Sequence, residues 1–196
     1  KKGYKKDKCK ILINGAINYL KNVRQKDNLS QFTNIFKKNE IEQTPSRLGW
    51  CYGDTGVGLS IIKAGIYLDK NVWLNYGTEI CLGSLERNFR NSGLHEHGIC
   101  HGYLGACHIY NRLYYATNKR EFLERKNYWY KIAIENKDFK IDPSGYYQTE
   151  LNNELNFDKY TTFGLLQGLS GVLLYESTHN FIKHSWDNVF LTNISI

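Results

Sequence analysis

Trp50-Cys51-Tyr52-Gly53-Asp54-Thr55-Gly56-Val57 is the stretch from which the fold can be read, because its pattern returns twice. Cys100-His101-Gly102-Tyr103-Leu104-Gly105-Ala106 follows, then Leu166-Gln167-Gly168-Leu169-Ser170-Gly171-Val172. Aligned on their glycines, all three share G-x-x-G and open onto an apolar run. Only the first two carry soft metal ligands in the two places before the first glycine; the third has Leu166 and Gln167 there. The glycines therefore belong to the architecture, and the cysteines and histidine to something else.

Working outward, helical spacing dominates. Ile13, Ala16, Ile17, Leu20 and Val23 recur at intervals of three and four, which predicts an amphipathic helix over residues 9–26. A second is predicted over 75–90, with Ile80, Leu82, Leu85 and Phe89 on its apolar side, and a third over 120–138, with Phe122, Leu123, Trp129, Ile132 and Ala133. The runs after the three glycine turns (Val57 to Leu68, Leu104 to Tyr115, Leu165 to Tyr175) have little polar surface and should be buried nearly all round. Amphipathic and enclosed helices thus alternate, so an all-α fold of outer and inner helices in two concentric layers is expected. The glycine turns stand about 50 and about 65 positions apart, which suits a helix-pair repeat with variable insertions. Residues 27–50 and 140–162 are long polar connections holding both prolines, Pro45 and Pro143, and lengths of this kind go with function or local extended structure. The end of the chain offers Trp186, Val189, Phe190 and Leu191 as a packing tail.

Composition narrows the function classes. Hydrophobic residues at 41% with 23% charged describe a globular chain rather than a disordered one, and no segment has the length of a membrane span. The start lacks the apolar stretch of a secretion signal, so a cytoplasmic protein is expected. Residue 1 is lysine and methionine is absent, which suggests a piece of a longer polypeptide. Much of the net charge of +7 comes from lysines in residues 1–10; without interleaved aromatics they read as a solvated face, and no nucleic-acid partner is expected. Five cysteines, an odd number, fit reduced thiols and a metal site better than a disulfide framework.

Cys51, Cys100 and His101 form the candidate metal set. Two thiolates and an imidazole are soft enough to select zinc, and three protein ligands leave a fourth tetrahedral position for water or substrate. A cysteine in a helical protein can equally be a small buried hydrophobe, and spacing alone leaves both readings open. Arg47 and Tyr52 flank Cys51 closely enough to stand near the open position, Arg as fixed positive charge for a developing oxyanion and Tyr as a hydroxyl donor. Cys107-His108 lies inside an apolar helix and reads as core. His95 and His97, on either side of Glu96, read as surface-loop residues, with a supporting role at the metal or acid–base chemistry as the alternatives. His179 and His184 have no partner in reach by sequence.

The runs Ser46-Arg47-Leu48-Gly49-Trp50-Cys51-Tyr52-Gly53-Asp54-Thr55-Gly56, Ile99-Cys100-His101-Gly102-Tyr103-Leu104-Gly105 and Gly164-Leu165-Leu166-Gln167-Gly168-Leu169-Ser170-Gly171 resemble three successive signatures of the lanthionine synthetase C-like family, the lanthipeptide cyclases. The tail Trp186-Asp187-Asn188-Val189-Phe190-Leu191 is similar to the family's C-terminal end. The resemblance implies an α/α toroid, of which residues 1–196 would be the C-terminal portion of a single domain. It implies Zn2+ held by Cys51, Cys100 and His101, with Arg47 and Tyr52 lining the site. The implied activity is addition of a peptide cysteine thiolate to dehydroalanine or dehydrobutyrine, forming thioether rings. The implied partners are a dehydrated precursor peptide and a lanthipeptide dehydratase and transporter complex. An Asp and a His that assist proton transfer in the cyclases belong to the earlier half of the toroid, which this sequence does not match. Two other classes stay open: a non-cyclising member that handles a small thiol such as glutathione, and a zinc-bearing, peptide-binding scaffold without turnover.

Overall fold

The computed structural model describes residues 5–26, 28–37, 40–41, 45–180 and 185–194. Its helices are α1 (Lys6–Val23), α2 (Asp54–Tyr67), α3 (Asn71–Gly83), α4 (Tyr103–Thr117), α5 (Arg120–Glu135) and α6 (Leu169–Thr178). Two antiparallel ribbons interrupt them, β1 (Phe36–Lys37) with β2 (Glu40–Ile41), and β3 (Gln148–Leu151) with β4 (Phe157–Tyr160). Both ribbons fall inside the long polar connections, where extended structure was anticipated.

The predicted alternation is present from α1 through α5. α2, α4 and α6 each follow a glycine turn; α3 packs along α2 and α5 along α4. Helix α4 is the most enclosed, buried continuously from Tyr103 to Leu113. Each large apolar side chain sealed there contributes about 1.5–3 kcal/mol. Cys107 and His108 lie in this core as expected. The amphipathic α1 lays Ile17, with Ile13, Leu20 and Val23 at its margin, against Phe32, Ile61, Trp73 and Ile80.

Several expectations need correction. The helix predicted over 75–90 begins four residues earlier and ends in a 3-10 turn at Ser84–Glu86, so Phe89 is outside it and 42% exposed. Ala16 of α1 faces solvent. Helix α6 starts at Leu169 rather than 165, and it is not enclosed: Gly171, Val172 and Tyr175 are buried while Leu173 is exposed. In the tail, Phe190 is buried but Val189 and Leu191 point outward. The tail is fixed by polar contacts instead: Trp50 Nε1 donates to Phe190 O (2.9 Å), Lys63 Nζ to Leu191 O and Asn193 Oδ1, and Arg112 pairs with the buried Asp187 (2.9 Å). His184 lies outside the described residues.

The turns share more than G-x-x-G. A third glycine four residues earlier gives Gly49, Gly53, Gly56; Gly98, Gly102, Gly105; and Gly164, Gly168, Gly171. The last glycine of each set touches the chain as it enters the turn. A Cβ on Gly56 would collide with Trp50 O, on Gly105 with Ile99 O, and on Gly171 with Leu165 O, three equivalent carbonyls. Gly53 also adopts φ of 115°, where a side chain is strained.

Backbone hydrogen bonds then join one turn to the next. Trp50 N donates to Cys100 O (2.7 Å), and Cys100 N donates to Leu166 O (2.9 Å). Gly105→Ala should therefore lower unfolding free energy by about 1–3 kcal/mol, since overpacking against a fixed carbonyl cannot relax cheaply. Gly15→Ala, at an α1 position with nothing within 4 Å, should instead raise it by about 0.5–1 kcal/mol. Urea denaturation of the two variants reads these opposite signs.

Candidate metal centre

Cys51 and Cys100 occupy the same place in the first and second turns, and His101 occupies the place held by Tyr52 in the first. Joining the turns through Trp50 N and Cys100 O brings these positions face to face. One ligand atom each of Cys51, Cys100 and His101 lies within 4.8 Å of the others, and no other such group occurs among the described residues. All five cysteines are free thiols. Cys51 is exposed, His101 half-buried and Cys100 buried, so the set opens to solvent on the Cys51 side.

The two sulfurs behave as a pair. A hydrogen bond from the Cys100 thiol pulls Cys51 down to about 4, with help from His101 and against the cost of burial. The same bond, with burial, pushes Cys100 upward. The pair therefore holds one proton between two sulfurs at neutral pH, with the negative charge on the exposed partner. Both cysteines also stand just ahead of helix N-termini, whose partial positive charge favours thiolate.

Around this set the structure arranges three further side chains. Arg47 is half-buried with its guanidinium 5.5 Å from the centroid of the Tyr52 ring, and Tyr52 is 36% exposed, so the structure brings these two side chains together beside Cys51. Glu96, which is 4% exposed, places Oε1 3.4 Å from His101 Nε2. Its Oε2 accepts a hydrogen bond from the backbone N–H of Thr149 in β3 (3.0 Å). Burial raises the Glu96 carboxyl above its usual range, opposed by the Thr149 amide, His101 and Arg47. Burial likewise lowers the imidazole of His95, and the nearby Arg47 charge adds to that.

His97 is a correction: it is fully buried, not a loop-surface residue. Its Nε2 meets Ala133 O at 2.9 Å, and its ring sits edge-on to Tyr103, Tyr146 and Tyr147. It is a core residue that pins the 96–97 segment to α5 and to the residues that lead into β3. His95 is exposed as expected but stacks on Phe157 of β4, with ring centroids 4.1 Å apart. His179 stacks on Tyr175 and Tyr130, remote in sequence from the metal set. Glu96 is the site residue that sequence reasoning passed over. The signal was present in the repeat: counting back six residues from Gly53, Gly102 and Gly168 gives Arg47, Glu96 and Thr162.

Comparison with known proteins identifies the family. The family description "Lanthionine synthetase C-like protein" matches residues 1–191. The chain belongs to the lanthionine synthetase C-like family. Among curated relatives, this lanthionine synthetase C-like chain is 24% identical over 153 residues to "Nisin biosynthesis protein NisC" from Lactococcus lactis subsp. lactis, covering 74% of this chain and 30% of the relative. The solved structure "Nisin cyclase" superposes with a TM-score of 0.55 at 21% identity, covering 81% of this chain and 33% of that one. The likeness establishes the fold, part of an α/α toroid. The chain spans about a third of the length of these relatives. No helix among the described residues is long and apolar enough to cross a membrane.

The thiol pair makes a direct prediction. In chelator-treated protein, iodoacetamide should label Cys51 at a rate that stays constant down to about pH 5 and falls only as the thiolate is protonated near pH 4. Cys81 and Cys107, buried and pushed upward by desolvation, should stay unlabelled throughout. Peptide mapping of the alkylated protein against pH measures all three.

Proposed function

We propose that this chain is the metal-bearing portion of a zinc-dependent lanthipeptide cyclase, which forms thioether rings by adding a peptide cysteine thiolate to dehydroalanine or dehydrobutyrine. The observation that carries the reading is the convergence of two sulfurs and one imidazole nitrogen from two separate turns, open on one side. The donor set fits zinc: soft ligands, three in number, with a thiol pair already biased towards thiolate. His101 Nδ1 is buried without a hydrogen-bond partner among the described residues, as expected of a nitrogen reserved for a ligand.

Cys51, Cys100 and His101 would hold the ion. Zinc bound there supplies a Lewis acid that stabilises an incoming thiol as thiolate at neutral pH. The remaining work falls to the chain's own groups. When the new C–S bond forms at the β-carbon of the dehydro residue, negative charge moves to the adjoining carbonyl oxygen. Arg47 offers fixed positive charge for that enolate, and Tyr52, beneath its guanidinium, offers a hydroxyl on the same open side. The α-carbon then takes up a proton, so the net change is addition of S–H across the double bond, with no redox partner. The substrate is a dehydrated precursor peptide, which presupposes a dehydratase acting first, because the dehydro residues arise by loss of water from Ser or Thr.

We further assign residues 1–196 to the C-terminal portion of one toroid domain. The exposed Leu173 on α6, an inner helix by its place in the order, supports this.

Elemental analysis should find about one zinc per purified chain, and Cys51→Ala and Cys100→Ala should each lose most of it; zinc-free wild type would overturn the proposal. In the natural full-length polypeptide, Arg47→Ala should keep zinc but slow ring closure by about 10²–10³-fold, the cost of one oxyanion donor. Loss of free thiols in a dehydrated peptide, read by alkylation and mass, reports ring closure. Zinc binding with unchanged alkylation would leave a binding module rather than a cyclase.

A further inference from the structure

We infer that Glu96 is a positioning residue for the metal centre: its two oxygens lock His101 in the tautomer that turns Nδ1, not Nε2, toward the Cys51 and Cys100 sulfurs. This rests on the proposed zinc reading and adds which nitrogen binds and what fixes it. Three observations carry it. Glu96 Oε1 lies 3.4 Å from His101 Nε2, within ion-pair range but short of hydrogen-bond geometry, so that nitrogen faces the carboxylate. The other nitrogen, Nδ1, is buried and has no hydrogen-bond partner among the described residues. The carboxylate itself is held in place, because Thr149 N donates to Oε2 at 3.0 Å.

A histidine that donates one N–H to an acceptor presents a lone pair on the opposite nitrogen, and such partners orient the ring and raise its basicity as a ligand. Thr149 belongs to the β3–β4 ribbon, so the ribbon takes part in the site. His97 N donates to Tyr147 O (3.1 Å) beside the same contact, and the 96–97 segment docks along the start of β3. The second long connection in the sequence is thereby the brace of the metal-facing histidine.

Thr149 N–H already occupies Oε2, which leaves Oε1, buried and without a hydrogen-bond partner of its own among the described residues, as the oxygen that faces His101 Nε2. Glu96→Gln has nearly the same shape but one acceptor oxygen, so one donor must face an amide NH2 or His101 must change tautomer. Zinc affinity, measured by competition with a chromogenic chelator, should fall 10–100-fold in Glu96→Gln, with the circular dichroism spectrum unchanged. In 15N-histidine-labelled wild type loaded with zinc, long-range 1H–15N correlation should show His101 with Nε2 protonated and Nδ1 metal-bound. In metal-free protein, the Nε2–H form should dominate in wild type and decline in Glu96→Gln, which a merely structural role for Glu96 would not cause. Zinc bound through Nε2 in wild type, or equal affinity in the folded variant, overturns the inference while leaving the proposed function intact. Should Glu96→Gln not fold, the wild-type spectrum decides. Wild type without zinc would instead defeat the underlying reading.

Discussion

The structure depends on one constraint, the contact between the last glycine of each turn and the carbonyl six residues before it. Only a residue without a side chain lets helices α2, α4 and α6 begin directly against the strand-like segment that enters them. With that contact made, the carbonyls and amides of successive turns are exposed to one another at a common level. They pair as Trp50 with Cys100 and Cys100 with Leu166. The result is a chain of turns at one end of the helical arc, each buried backbone group satisfied by the next. Cys51, Cys100 and His101 meet there because the turns meet.

A second, polar lock holds the entry to the first turn. Asp54, fully buried at the start of α2, accepts from the amides of Gln31 and Phe32 at 3.0–3.1 Å. Arg87, also buried, donates to Ser46 O at 2.6 Å and faces Asp54 electrostatically. Burial pushes the Asp54 carboxyl upward, but its amide partners and the Arg87 charge keep the ionised form supported. Two buried charges of this kind contribute little net stability over apolar substitutes, yet removing one of them is costly. The consequence is positional: Ser46 and Leu48 are fixed from both sides, so Arg47 between them is presented at the metal set from a rigid backbone. The Leu48 amide, bonded to Ser92 O at 2.8 Å, completes that anchoring.

The parts legible in the sequence were those governed by local rules. The 3.6 period gave α1 and α5 to within a few residues, and the three glycine turns gave the inner helices. The ligand-free third turn separated Cys51, Cys100 and His101 from the scaffold. What escaped depended on tertiary partners that no local pattern encodes. His97 looked like a loop residue because its neighbours are polar, but Ala133 O and three tyrosines come from segments 36 to 50 positions away or from the following helix. Glu96 was overshadowed for the same reason: its amide partner, Thr149, lies 53 positions on. The enclosure expected for α6 failed because apolar composition states a need for burial without supplying the partner, and Leu173 has none among the described residues.

Equivalent positions in the three turns show how one repeated frame acquires chemistry by substitution at few places. Six residues ahead of the central glycine, the first turn carries Arg47, the second Glu96 and the third Thr162. Two ahead, they carry Cys51, Cys100 and Leu166. One ahead, they carry Tyr52, His101 and Gln167. The third turn repeats three backbone bonds of the second: Gly168 N to Gly164 O matches Gly102 N to Gly98 O, Leu169 N to Thr162 O matches Tyr103 N to Glu96 O, and Val172 N to Gly168 O matches Ala106 N to Gly102 O; yet it brings no cysteine or histidine. Its Leu166 carbonyl accepts from Cys100 N and so holds Cys100 in place. The opposite charges of Arg47 and Glu96 divide the environment. Arg47 stands against the Tyr52 ring beside Cys51, and Glu96 is buried next to His101. On the proposed mechanism, an exchange of the two would set a carboxylate where anionic charge would develop and a cation against the His101 imidazole. The frame is indifferent to which residue fills these places, but the chemistry is not.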